Sequence, residues 1–322
     1  MHIAVYLPLV IPVLAALAAR PLADRLPPAA ATWLLAGSSL ALAAASSAVL
    51  GLLALTALVR VPPVAAIANM PVGAISRSDT VSLPVAIAAG ALLATAAAAA
   101  CRALWRRGTA IAAAGRQARR LPGAGQVVVT QDDAADAYTL PGWPCRIVIT
   151  SGMLRVLTEP ERKVLVAHER AHAGGSHYLF TSAARLAAAA NPLLRPVAAQ
   201  VGYTVERWAD ERAATAAGDR PLTARAIARA AMASTAAPPD RDGQATALGL
   251  VGGKDAERKE RASLRRAGPV PRRVAALLGP PPRTSKLLLD GAVLLVALSG
   301  ASALEAARNL HQLLELAQAA RS

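Results

Sequence analysis

The chain has 322 residues and a net charge of +15, and 54% of its residues are hydrophobic but only 3% aromatic. This composition is unusual for a soluble protein and is typical of helices in a bilayer. The two cysteines, Cys101 and Cys145, form no CxxC pair, so the sequence supports neither a disulfide framework nor a thiolate zinc site.

Three apolar stretches are long enough to cross a hydrocarbon core of about 30 Å as helices. They cover residues 3–19, 31–59 and 80–101. A cleavable signal peptide is the alternative for the first, but no basic residue precedes it. Residues 287–304 form a fourth candidate, weakened by Asp290. We therefore predict a mostly α-helical, multi-pass protein of the cell membrane with about four transmembrane helices.

Arginines without intervening acidic residues follow the third stretch: Arg102, Arg106, Arg107, Arg116, Arg119 and Arg120. Segments rich in Lys and Arg stay on the cytoplasmic side of a membrane. The region after residue 105 is therefore predicted to be cytoplasmic, whereas the loop around residues 60–79 and the N-terminus lie outside.

A second basic region precedes the fourth candidate span. Residues 254–286 hold ten Lys or Arg against three acids, interleaved with Gly and Pro. The pattern predicts a flexible basic linker, assigned to residues 241–286, whose charge orients the protein in the membrane. It contains no Phe, Tyr or Trp for base stacking after residue 254, so no nucleic-acid partner is expected.

Between the third and fourth stretches the pattern changes to short β-branched runs followed by a capped helix. Residues 126–130 and 146–150 are predicted strands, bounded by Gly and Pro. Thr158 to Glu161 form a capping box with Pro160 near the helix start, and Gly174-Gly175 ends that helix. A small sheet followed by a helix is therefore predicted here.

The capped helix carries the sequence His168-Glu169-Arg170-Ala171-His172. Histidines four residues apart share one helix face, so both imidazoles can bind one zinc ion. The carboxylate of Glu169 can take a proton from the attacking water and return it to a leaving amine. The spacing predicts a zinc-dependent peptide hydrolase with one Zn²⁺ per chain; a chance match is the alternative.

A catalytic zinc needs a third protein ligand. Glu206 and Asp210 are four residues apart on a predicted helix ending at Gly218, and so share a face. We predict that Glu206 binds zinc and that Asp210 accepts a hydrogen bond from a liganding histidine. The alternative is a solvated acidic turn.

Two further side-chain roles are expected near this motif. A scheme with a third histidine six residues after the second places Tyr178 at that position, and His177 is one place off. We expect His177 to face the membrane surface or the substrate instead of a metal. The strand at residues 146–150, if it lies at the sheet edge, could pair with an extended substrate.

These residues resemble the BlaR/MecR-type membrane metallopeptidases, which are related to HtpX-like and CAAX-processing zinc proteases. The likeness runs from Val148–Gly152 through His168–His172 to Glu206–Asp210 and covers roughly residues 105–220. It implies an α+β gluzincin domain inserted between membrane helices, with zinc on His168, His172 and Glu206 and catalysis by Glu169. In those relatives a penicillin-binding sensor follows the last span and the protease inactivates a repressor, but this chain ends at Ser322.

Four segments are predicted from these patterns. Residues 1–104 hold three transmembrane helices and residues 105–240 the zinc protease domain; the linker and then residues 287–322 follow. The predicted function is a membrane zinc endopeptidase that cuts a protein substrate on the cytoplasmic side, with a transcriptional repressor as one candidate substrate. A membrane-protein quality-control protease and a non-enzymatic receptor or scaffold in the bilayer are the alternatives.

Overall fold

The computed structural model describes residues 7–58, 83–235 and 269–280, with isolated helical positions between 290 and 308. The predicted fourth span at residues 287–304 therefore falls largely outside the described residues.

Three long helices begin the described chain: α1 (Leu7–Arg25), α2 (Pro28–Leu58) and α3 (Leu83–Arg120). All three are apolar and long enough to cross a membrane, in agreement with the three predicted spans. Small residues line the contact between α2 and α3, where Gly51 faces Leu93 and Gly90 faces Ala54. Such residues let helix backbones approach closely in a bilayer.

A three-stranded sheet follows α3, with β1 (Val127–Thr130), β2 (Ala137–Leu140) and β3 (Arg146–Thr150). The strand order is β1-β3-β2; β1 runs parallel and β2 antiparallel to β3. The two predicted strands are present, and β2 was missed because Ala137–Leu140 lacks a β-branched run. All five residues of β3 are buried and the strand lies in the centre of the sheet, so the edge position on which substrate pairing by residues 146–150 depended is not found. Because β3 is central, its hydrogen bonds are used by its neighbours and β2 is an edge strand instead.

Five helices follow the sheet: α4 (Ser151–Val156), α5 (Glu159–Gly174), α6 (His177–Ala190), α7 (Arg195–Ala217) and α8 (Arg220–Thr235). The predicted capping box starts α5, where the backbone N–H of Thr158 donates to Glu161 Oε2 at 2.9 Å. At the end of α7, Gly218 has a φ of 67°, which a residue without Cβ adopts at no steric cost.

Helices α6 and α7 form a hairpin that packs on the membrane helices α1 and α2. Leu194, Val197 and Val201 of the hairpin are buried in one cluster with Leu26 and Leu35, among other residues. At the hairpin tip, Asn191 Nδ2 donates to Ser46 Oγ of α2 at 3.1 Å. The α6–α7 hairpin and the apolar helices α1 and α2 therefore share one hydrophobic cluster.

The predicted flexible linker is wrong for residues 269–278, which form helix α9 (Pro269–Leu278). Leu277 of α9 is buried against Ala214 and Ile227 on the two preceding helices. Arg220 donates to the carbonyl oxygens of Ala276 and Leu277 and so satisfies the C-terminal end of α9. The basic residues Arg272 and Arg273 are part of a packed helix because acceptors on α1 and α7 receive their hydrogen bonds.

A substitution at Gly152 tests the packing between the sheet and α4. A Cβ at Gly152 would collide with the carbonyl oxygens of Asp133 and Ala134, which are backbone atoms. We expect Gly152→Ala to destabilise the protein by about 1–3 kcal/mol, measured as a lower unfolding midpoint in detergent. Gly108→Ala is the matched control, because nothing lies within 4 Å of that position in α3 and alanine favours a helix. Equal midpoints for the two variants would contradict the packing.

Candidate metal centre

Helix α5 brings the two motif histidines together. His168 and His172 lie on one face, and their Nε2 atoms are 3.1 Å apart. Both side chains are 10% exposed, so the pair is largely withdrawn from solvent. The helix spacing thus produces the pair of convergent nitrogens that the sequence predicts.

Helix α7 supplies a third donor opposite this pair. Glu206 Oε1 is 3.5 Å from His172 Nε2, and Glu206 Oε2 is 3.7 Å from His168 Nε2. The ligand atoms of the three residues all lie within 4.8 Å of one another. Ligands about 2.0–2.1 Å from a tetrahedral zinc are separated by about 3.3–3.4 Å. His168, His172 and Glu206 therefore fit a zinc ion in spacing and in donor chemistry.

Asp210 lies behind the first histidine. Its Oδ1 is 3.0 Å from His168 Nδ1, and the residue is 1% exposed. A carboxylate at this distance favours a proton on Nδ1, which leaves Nε2 free to face a metal. Asp210 thus lies beside His168, one helical turn after Glu206, and its predicted role as hydrogen-bond acceptor stays a prediction.

Arg273 of α9 joins the two carboxylates and was not predicted from the sequence. Its Nε and Nη2 donate to the two oxygens of Asp210, both at 2.7 Å, and Nη1 is 2.9 Å from Glu206 Oε2. The signal that could have located it is the spacing of Val270, Val274 and Leu277, which is that of an amphipathic helix after Pro269. One guanidinium therefore holds both Glu206 and Asp210.

Burial and ion pairing shift the pKa values of these carboxyl and imidazole groups in opposite directions. Burial raises the pKa of Asp210 and of Glu206, but Arg273 first and then nearby histidine outweigh it and lower both pKa values. Burial lowers the pKa of His168, but Asp210 and Glu206 outweigh it and raise that pKa to about 10 in the metal-free site. The two carboxylates therefore favour a positive charge beside them, which a bound cation also supplies.

Glu169 lies beside the donors without joining them. It is 6% exposed, and burial raises its pKa. Thr139 Oγ1 of the edge strand β2 donates to Glu169 Oε2 at 2.9 Å and also lies 3.1 Å from the carbonyl oxygen of Glu169. The edge strand therefore fixes this carboxylate, and a buried carboxylate with a raised pKa is suited to accept and return a proton.

His177 is buried, so its expected position at the membrane surface is wrong, whereas the expected position facing the substrate stays a prediction. The residue is 2% exposed, and its Nδ1 is 3.0 Å from Nδ1 of His172. Its ring also packs on Trp208, with centroids 4.7 Å apart. Burial lowers the pKa of His177 to about 3 and that of His172 to about 4, so both rings are neutral. With a metal on Nε2 of His172, its Nδ1–H would donate to His177.

A cavity of about 1510 Å³ opens onto this group. Glu169, His172 and Glu206 contribute to its wall, together with the loop at residues 141–145. The fully exposed ring of Trp143, at 92% exposure, belongs to that loop. This volume exceeds the usual range of small-molecule pockets, about 300–1,000 Å³, and can receive a polypeptide segment.

Comparison with known proteins identifies the family. A family model described as Peptidase family M48 matches residues 102–280, which is more than half of the chain. Neither the curated proteins nor the solved structures contain a significant match. The match agrees with the metallopeptidase part of the sequence resemblance, whereas the BlaR/MecR type stays a prediction. It also extends over α9, the helix that carries Arg273. The chain therefore belongs to peptidase family M48 and is a membrane-associated metalloprotease.

Proposed function

We propose that this protein is an integral membrane zinc endopeptidase that hydrolyses peptide bonds of a protein substrate on the cytoplasmic side. The observation that carries the proposal is the convergence of His168, His172 and Glu206 beside the buried carboxylate of Glu169. Two imidazoles and one carboxylate form a ligand set of catalytic zinc sites that keep one position open.

The proposed zinc ligands are His168 and His172 through Nε2 and Glu206 through a carboxylate oxygen. Arg273 holds Glu206 Oε2 at 2.9 Å, which leaves Oε1 as the metal-binding oxygen. When bound, zinc supplies Lewis acidity that activates water and stabilises the oxyanion of peptide hydrolysis. Asp210 and His177 keep the protons of the liganding imidazoles on Nδ1, away from the metal.

Glu169 is the proposed general base and general acid. One carboxylate oxygen is held by Thr139 Oγ1, so the other oxygen can accept a proton from the attacking water. The same oxygen then returns that proton to the nitrogen of the leaving amine. Burial disfavours the anionic form of Glu169 and so raises its pKa. The carboxylate therefore accepts the proton of the water more readily and can hold it until the amine leaves.

Membership of a peptidase family supports hydrolysis over the receptor or scaffold alternative. A repressor substrate is implied by the BlaR/MecR resemblance alone, and quality control of membrane proteins is the other candidate role. A comparison of the membrane proteomes of cells with active and with inactive enzyme distinguishes these two roles. One cleaved regulator supports signalling, whereas many damaged membrane proteins support quality control.

The first test of the mechanism is Glu169→Gln in the purified full-length protein. We expect cleavage of a proteome-derived peptide library to fall at least about 100-fold, because the amide cannot carry the proton. Zinc content should stay at the wild-type level, since Glu169 is not a proposed ligand.

Glu159→Gln is the matched control on the same helix, where Glu159 pairs with exposed Lys163 at 3.0 Å. It should cleave the library like the wild type. A Glu169→Gln variant that keeps full activity would contradict the proposed proton transfer, and a wild type that binds zinc but cleaves no peptide would contradict the proposed function.

The proposed orientation predicts which side of the membrane each loop occupies. In a background without Cys101 and Cys145, a cysteine at Met70 should react with an impermeant maleimide on intact cells. A cysteine at Ser234, exposed on α8, should react only after lysis. The reverse pattern would place the active site outside the cytoplasm.

A further inference from the structure

The cavity beside the metal centre is strongly biased in charge. Its wall includes the arginines Arg102, Arg106, Arg146, Arg185, Arg195 and Arg273. Among the described residues, the carboxylates on this wall are Glu169 and Glu206, and both belong to the proposed catalytic group. A cleft lined by one sign of charge concentrates ligands of the opposite sign.

Two of these arginines already have hydrogen-bond partners within the protein. Arg146 donates to the carbonyl oxygens of Gly123 and Gly125, and Arg273 is held by the carboxylates of α7. The other four come from α3, α6 and α7: Arg102, Arg106, Arg185 and Arg195. Within the described part of the chain, no carboxylate forms an ion pair with any of these four.

The helix hairpin fixes how far this basic wall lies from the metal centre. Arg185 is eight residues beyond His177 along α6, a distance of about 12 Å. Arg195 is eleven residues before Glu206 in the antiparallel helix α7, about 16 Å away along the axis. Both lie toward the hairpin tip, on the same side of the metal centre. An extended polypeptide covers this distance in about four to five residues.

We propose that Arg185 and Arg195, with Arg102 and Arg106 opposite them on α3, form a subsite for acidic side chains of the polypeptide substrate. The inference rests on the proposed peptidase function and specifies its substrate. An Asp or Glu side chain about four to five residues from the scissile bond reaches these guanidinium groups. Arginine recognises a carboxylate through paired N–H donors, which gives direction as well as affinity.

An anionic lipid headgroup shares this chemistry, and Arg102 and Arg106 follow directly on an apolar stretch. The polypeptide is favoured because all four arginines line the cavity that also contains Glu169, His172 and Glu206. All four arginine side chains are also exposed, so a bound chain can reach them.

Cleavage-site profiling tests this subsite. The full-length enzyme is incubated with a proteome-derived peptide library, and cut positions are mapped by mass spectrometry. We expect enrichment of Asp and Glu about four to five residues from the cut bond, on one side only. A synthetic peptide pair that differs by Glu or Gln at that position should differ in kcat/KM by about threefold to tenfold.

Variants of the hairpin then connect the preference to its residues. In the double variant Arg185→Gln and Arg195→Gln, the ratio of kcat/KM for the Glu and Gln peptides should approach one. The double variant Arg185→Glu and Arg195→Glu should prefer a Lys peptide, because the charge of the wall is reversed. Arg225→Gln is the matched control, since Arg225 is exposed on α8 and is absent from the cavity wall. Unfolding midpoints establish that each variant is folded.

The outcomes separate this proposal from the peptidase function. A wild type that cuts peptides without any acidic preference overturns the subsite alone, whereas one that cuts nothing overturns both. An acidic preference that persists unchanged in both hairpin variants also overturns the subsite. Loss of binding to vesicles containing phosphatidylglycerol, with the peptide preference unchanged, would assign the arginines to lipid instead.

Discussion

Two carboxylates, Glu206 and Asp210, are buried one helical turn apart on α7, and their charge has to be compensated inside the protein. Withdrawing an ion from water costs several kcal/mol unless a partner of opposite charge is close. Arg273 contacts both, and His168 lies 3.0 Å from Asp210. Helix α9 must therefore pack on α7, and α5 must cross α7 at the level of His168. The same contacts hold two of the three proposed zinc ligands in place.

The metal centre is also connected to the membrane helices through residues adjacent to this group. Arg207, next to Glu206, donates to the carbonyl oxygen of Ala23 at 2.7 Å. Arg272, next to Arg273, is 2.6 Å from Asp24. The C-terminal end of α1 therefore contacts the neighbours of a proposed ligand and of the arginine that holds it. Since the α6–α7 hairpin also packs on α1 and α2, the site forms part of the membrane-associated core.

Features governed by local spacing could be predicted from the sequence. The i, i+4 histidine pair and the cap at Thr158 depend on residues within one helix, and both are present. Glu206 was also located, because an acidic pair four residues apart has few alternatives in this chain. Arg273 was missed and the membrane-surface position expected for His177 was wrong, since both positions depend on how separate helices pack. Basic residues beside prolines suggested a linker, and nothing local indicates that α7 offers them carboxylates.

The central claim is that His168, His172 and Glu206 form one zinc site, and metal content tests it most directly. The measurement is zinc per chain in detergent-purified protein, combined with X-ray absorption to determine the ligands. We predict about one zinc with two nitrogen ligands and at least one oxygen ligand at about 2.0–2.2 Å. Loss of a residue that only hydrogen-bonds a ligand, such as Asp210, typically weakens metal binding by about 10–100-fold. Glu206→Gln removes a proposed ligand and should weaken zinc binding by more than that. A wild type without zinc under non-chelating conditions, or an unchanged affinity in Glu206→Gln, would contradict the account.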